Sequence, residues 1–371
     1  MRSKPDRTPL GLFPVRPLWT LPLNVQLAAP PAFHGLRGFF SIEGGQIVAY
    51  DLTAGTQLWT VDAATTRRPA VSDDLLFVVV DGAIDALRVS DGSQAWSVPF
   101  TDALAAPLVF DNGWLVAATA DSAVMAFRAA DGHQVWRSEI GSPAHTVPTL
   151  ADDRVYIPAE DGRVIALRVT DGSLVWTHRL GGAPNEILAS GDRLFVGSKD
   201  NTFYCLKAQD GSVDWPVVTG ADVIGLPAID ARNVYFVSLD NVLRAVHRGN
   251  GNQEWKRALA VRPTAGPVKA LDVVFVTSIS KTLPAFTAIK GAPAGDVGGG
   301  DEIAAPPHVA AVPGIFGPVL FVVTNDLLKG ATVVASARSI EPAVSALAAL
   351  PNPISITPAG PVPTAPTIPK L

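Results

Sequence analysis

Cysteine occurs once in the 371 residues, at Cys205, which excludes an intramolecular disulfide framework and any multi-cysteine metal site. No run of 18 apolar residues is present, so no helix is expected to cross a bilayer. Basic residues neither cluster nor interleave with aromatics, and the net charge is −5. The phosphate-neutralising footprint of a nucleic-acid binder is therefore missing. Near the N-terminus, Pro9, Pro14, Arg16 and Pro17 interrupt the apolar stretch, and no secretion signal is read there. Charged residues are only 17% of the chain against 48% apolar, a composition with ample core material.

What the sequence has instead is a period. Trp59, Trp96, Trp136, Trp176, Trp215 and Trp255 follow one another at intervals of 37, 40, 40, 39 and 40 residues, and Trp19 lies 40 before the first. Gly55, Gly92, Gly132, Gly172, Gly211 and Gly251 each stand four residues before one of the six. A repeat of about 40 residues with strand-like sequence between its marks indicates a radial or solenoid architecture. The residue before the glycine is Asp91, Asp131, Asp171, Asp210 or Asn250 in five repeats, giving the dipeptides that favour tight hairpins. Ten residues before each of these lies a second turn, at Asp81-Gly82, Asp121-Ser122, Asp161-Gly162, Asp200-Asn201 and Asp240-Asn241. Two hairpins per repeat, with the apolar strands around them, predict four antiparallel strands per unit.

Within the third strand, one column holds Ala49, Ala86, Ala126, Ala166, Cys205, Ala245 and Ala285, and the next holds Tyr50, Leu87, Phe127, Leu167, Leu206, Val246 and Phe286. Neighbouring side chains on a strand point to opposite faces, so one face is kept small and a tryptophan can fill the gap to the adjacent sheet. Cys205 occupies the small column and is read as core rather than as a reactive thiol. Seven units end near Gly291, and an eighth follows in Pro318 to Thr324 and Ala331 to Ala337. That unit has no tryptophan strand of its own, whereas Leu18-Trp19-Thr20 resembles Leu58-Trp59-Thr60. The N-terminal strand is therefore expected to close the ring. Dividing residues 17–338 by eight returns the period. The expectation is an all-β, eight-bladed β-propeller, with seven blades the alternative: residues 1–16 an N-terminal extension, 17–345 the propeller and 346–371 a proline-rich tail.

The element Asp-Gly-Arg-Val-Ile-Ala-Leu-Arg-Val-Thr-Asp-Gly-Ser-Leu-Val-Trp, residues 161–176, resembles the tryptophan-docking repeat of the PQQ-like quinoprotein family, and varied copies lie at 81–96, 121–136, 200–215 and 240–255. The resemblance implies a propeller and offers two roles. One is a non-catalytic, BamB-like scaffold that binds a protein partner in the periplasm or cell envelope, as a monomer and without cofactor. The other is a dehydrogenase holding PQQ with calcium in the central channel. The dehydrogenases are larger and carry a vicinal cysteine pair where this chain has Cys205 alone, and their aspartate base and calcium ligands do not map onto these repeats. The scaffold, non-enzymatic, is the reading carried forward. A ligand-sensing module of a signalling system is a further alternative.

Functional residues are sought where the repeat breaks. The aspartates of the turns are explained by turn chemistry rather than by calcium. The loops joining one repeat to the next should share a face with the Asp-Gly turns between second and third strands, and such loops commonly carry binding groups. They contain Arg67, Arg68, Asp102, His145, Asn185, Glu186, Asp222 and Arg262. His145 and Glu186 are the residue types of acid and base chemistry, and Asn185-Glu186 has calcium-ligand types without the rest of a site. Trp114 stands in a column otherwise filled by Asp74, Arg154, Arg193 and Asn233, which predicts an exposed aromatic suited to a protein contact. In repeat seven the tryptophan is gone after Gly291, predicting the loosest stacking. Gly298-Gly299-Gly300 lacks the Gly-Lys-Ser/Thr and the strand-to-helix setting of a phosphate loop and is read as a connection.

Overall fold

The computed structural model describes residues 11–298 and 300–339. The expected tail at 346–371 lies outside them, as does Gly299. Among the described residues all regular structure is β, in eight antiparallel sheets arranged as blades of a ring. Blade one contains Ala32–His34, Arg37–Ile42, Gln46–Asp51 and Thr56–Asp62. Blades two to seven repeat this meander, ending with Val268–Ala270, Val273–Phe275, Thr282–Thr287 and Pro293–Gly298. Second and third strands are buried on both faces, as in Ala123–Arg128, because each blade is sandwiched between two others. Fourth strands alternate buried and exposed positions, as in Gln134–Glu139, because they form the outer rim.

Blade eight takes strands from both ends of the chain. Glu302–Ile303 and His308–Ala311 pair with Pro318–Asp326, which pairs with Gly330–Arg338, and Val15–Pro22 adds the outer strand. Trp19 faces Ala335 across that last pairing, just as Trp59 faces Ala49 and Trp255 faces Ala245. The N-terminus thus supplies the missing strand, and the ring has eight blades.

The tryptophan ladder stacks each blade on the next. An added Cβ on Gly172 would lie 2.6 Å from Trp136 Cε3, and one on Gly211 would lie 2.5 Å from Trp176 Cε3. The turn glycine is therefore required twice, for its left-handed backbone, φ +70° at Gly172, and for the indole lying against it. Cys205 is fully buried opposite Trp215, and burial pushes its thiol up to about 12.

In blade seven the gap left by the missing tryptophan is filled on the side of blade eight. Gly295 faces Ala285, the place a tryptophan holds in the other blades, and the ring of Phe13 occupies the space, 2.6 Å from where a Gly295 Cβ would sit. Leu12 is fully buried beside it, and its amide donates to Asp272 Oδ1 at 2.7 Å. Part of the segment expected as an extension, residues 1–16, is therefore built into the interface of blades seven and eight.

Candidate binding face and channel

The fourth strands end on the same face as the turns between second and third strands: the amides of Phe100, Ile140, Leu180 and Thr219 donate to carbonyls of Gly82, Ser122, Gly162 and Asn201. The loops joining successive blades start there, so the predicted loop face exists. Its polar groups are largely engaged with one another. Arg137 binds Asp102 at 2.9 Å, Asp121 at 2.7 Å and Glu139 at 2.9 Å. Its hydrogen bonds to these carboxylates, led by Glu139, hold the guanidinium above its ordinary pKa. Arg67 donates to the Leu104 carbonyl at 3.0 Å, tying the loop before blade two to the loop before blade three. Asp161 accepts from Arg163 at 2.6 Å and from Arg179 at 3.3 Å. The Asp222 carbonyl accepts from Leu239 at 2.9 Å, and Arg262 is exposed.

His145 and Glu186 are not brought together as an acid and base pair. His145 Nε2 lies 3.1 Å from Glu160. Glu186 sits on the innermost strand of blade five, Pro184–Ser190, where the Leu226 amide of blade six donates to it. Burial raises its pKa, opposed by the charge of Arg68 and by that amide. Arg68 belongs to blade two, so the attraction crosses the central channel. Asn185 Nδ2 donates to the Val223 carbonyl of blade six and is spent on joining the blades.

On the side of blades eight, one, two and three, the channel wall encloses about 400 Å³ lined by Phe33, Arg68, Phe110 and His308 among others. His308 was not singled out in the sequence. Its ring stacks on Phe33 with centroids 4.7 Å apart, and Nε2 donates to the Gly35 carbonyl at 2.8 Å. Burial keeps the imidazole below its ordinary pKa. A lone histidine after two prolines carries no periodic signal by which it could have been found.

Trp114 is half-buried rather than fully exposed. It packs with Val109 and Leu150 against the core shared by blades three and four. Arg154 and Arg193, in the same column, reach to carbonyls of the following blade, Gln209 and Arg248, at 3.1 and 2.8 Å. At Trp114, Arg154 and Arg193 the column bridges blades, by packing in the first case and by hydrogen bonds in the other two.

A quinone held by calcium needs a cluster of oxygen donors. Among the described residues no three histidine, cysteine, aspartate or glutamate side chains gather as a metal site would. Asn185 and Glu186, the nearest to such a set in type, are committed to blade six.

The loop face also has an apolar corner. Leu327 and Leu328, in the turn of blade eight, are 90% and 96% exposed, and Ile279, in the corresponding turn of blade seven, is 70% exposed. Blades two to six carry Asp-Gly, Asp-Ser or Asp-Asn there. Ile303, beside Leu327 in blade eight, donates its amide to the Ser280 carbonyl at 2.9 Å, so the two turns are neighbours.

The family described as outer membrane protein assembly factor BamB matches residues 16–104, 80–189 and 179–295. No curated protein matches the chain at a significant level. Among solved structures, BamB from Moraxella catarrhalis is 17% identical with a TM-score of 0.67, covering 86% of this chain and 99% of its own. Quinohemoprotein alcohol dehydrogenase from Comamonas testosteroni is 13% identical with a TM-score of 0.68, covering 87% of this chain and 76% of its own. Sqt1 from Saccharomyces cerevisiae is 9% identical with a TM-score of 0.73, covering 87% and 99%. At such identities the likeness is one of fold.

Proposed function

The chain belongs to the family described as outer membrane protein assembly factor BamB, and from that premise we propose that it is a non-enzymatic scaffold that binds a protein partner in the bacterial cell envelope, acting as a monomer and without a cofactor. The observation that carries the reading is the apolar corner of Ile279, Leu327 and Leu328 on a face otherwise locked into charge pairs. Exposed apolar groups rimmed by polar ones are a mark of protein contact. The pairs around Arg137 and Asp161 hold the loops in place, which lowers the cost of ordering them on binding. The candidates Arg67, Arg68, His145, Asn185, Glu186, Asp222 and Arg262 frame this face and its channel, whereas Trp114, at the start of its strand beside the turn between first and second strands, lies on the opposite face. The envelope location comes from the family.

Crosslinking in intact cells followed by mass spectrometry tests the reading. Crosslinks should connect the loop face to one envelope protein, and Leu327→Asp with Leu328→Asp should abolish them while leaving the melting temperature unchanged. Titration with PQQ and calcium is the opposing arm. Saturable, calcium-dependent quinone binding would replace the scaffold with the dehydrogenase.

A further inference from the structure

The cleft between blades six and seven is a place where the repeat fails in a way that makes room. In the third strand, the position before the small column reads Val48, Asp85, Met125, Ile165, Tyr204 and Arg244 in blades one to six and Pro284 in blade seven. These side chains face the preceding blade: Met125 belongs to the core of blades two and three, Ile165 to that of three and four, and Tyr204 packs against that of four and five. Proline fills less of that space than the methionine, isoleucine, tyrosine or arginine of blades three to six, and a cavity of about 360 Å³ lies there, opening at the outer rim.

Leu259, Val261, Val276 and Phe286 give this cavity apolar wall, and Ser278, Ser280 and Thr282 also line it. Ser278 is 1% exposed, and its Oγ has no hydrogen-bond partner among the described residues. The hydroxyls in the same column of other blades are satisfied: Ser198 donates to the Gly182 carbonyl at 3.1 Å, Ser238 to Asp240 at 2.6 Å, and Thr119 to the Ala123 carbonyl at 3.0 Å. Ser278 lines the cavity, and a buried hydroxyl without a partner is a group that a polar atom turned toward it would satisfy.

We propose that this cleft is a binding site for a small neutral molecule with an apolar body and one hydrogen-bonding head, the head meeting Ser278 Oγ. A cavity of about 150 Å³ accommodates benzene, so this one suits a two-ring or medium-chain ligand. No charged side chain lines its buried part, and Asp296 at the open rim disfavours an anion. The site is independent of the loop face and of the scaffold reading.

The probes are 2-naphthol and naphthalene, titrated into the full chain by calorimetry. Saturable binding of 2-naphthol is expected, tighter than that of naphthalene. Ser278→Ala should weaken 2-naphthol by roughly three- to ten-fold, the value of one neutral hydrogen bond, and leave naphthalene unchanged. Pro284→Ile restores the residue of blade four and should abolish binding of both. Ala258→Phe, at the exposed mouth, should do the same from a position that leaves the core untouched. Absence of saturable binding, binding that survives both filling substitutions, or an equal loss of both probes in Ser278→Ala would each overturn the proposal.

Discussion

The indole nitrogens show how finely one column is used. Trp59, Trp96, Trp136, Trp176 and Trp255 donate to the carbonyls of Val89, Ala129, Val169, Ala208 and Ala288, three residues before the turn glycine of the next blade, at 2.6 to 3.0 Å. In Trp215 that nitrogen is buried without a partner. The corresponding carbonyl, that of Arg248, accepts from Arg193 Nη1 at 2.8 Å. Both Trp136 and Trp215 are buried to a similar degree, so phenylalanine in either place loses similar packing. Trp136→Phe additionally abandons a carbonyl, whereas Trp215→Phe removes an orphaned donor. Trp136→Phe should therefore be the more destabilising by about 1 kcal/mol, read from the midpoints of urea unfolding curves. Equal losses would show that the bond adds nothing to the stacking.

Blade seven is the element in which sequence and structure diverge, and the cause is physical. Most of the fold was legible because it is periodic: the tryptophan and glycine columns, both hairpins, the small face and the closing strand at Leu18-Trp19-Thr20 all repeat. The missing tryptophan was legible too, but its replacement was not, since Phe13 comes from the far end of the chain and belongs to no column. The same holds for the candidate site. Arg68 and Glu186 lie 118 positions apart, and the charge of one acts on the other only because a ring sets blade two across from blades five and six. Local spacing cannot report such an influence, and the pairing of His145 with Glu160 depends likewise on how two loops close. The filling role of Phe13 has a measurable consequence. Leu12→Ala, at a fully buried site, should cost about 2–5 kcal/mol. Phe13→Ala should cost less, because its ring is only partly buried, yet more than an exposed substitution such as Arg262→Ala. Indistinguishable unfolding midpoints for Phe13→Ala and Arg262→Ala would mean that the phenyl ring does not support the blade interface.

For the whole molecule, closure rests on one strand. Val15–Pro22 pairs with Gly330–Arg338 from Val15 opposite Arg338 to Pro22 opposite Thr332, and its Trp19 lies 3.3 Å from where a Cβ on Gly55 of blade one would sit. The strand thus completes blade eight and also stacks it on blade one. Without it, Gly330–Arg338 would present an unpaired edge, a template for association with other chains, and blade one would lose the indole that lies against Gly55. A chain beginning at Leu23 should therefore form oligomers on size-exclusion chromatography and unfold with a lower and broader transition. A synthetic peptide of residues 11–22 supplies both the closing strand and the Leu12 and Phe13 plug, and it should restore the monomer and much of the cooperativity. The same peptide carrying Trp19→Ala should restore pairing but bind more weakly, because the backbone ladder survives while the stacking on Gly55 is lost. Full monomeric stability in the truncated chain would show that stacking between blades holds the ring without the strand, and that the tryptophan ladder alone is sufficient for closure.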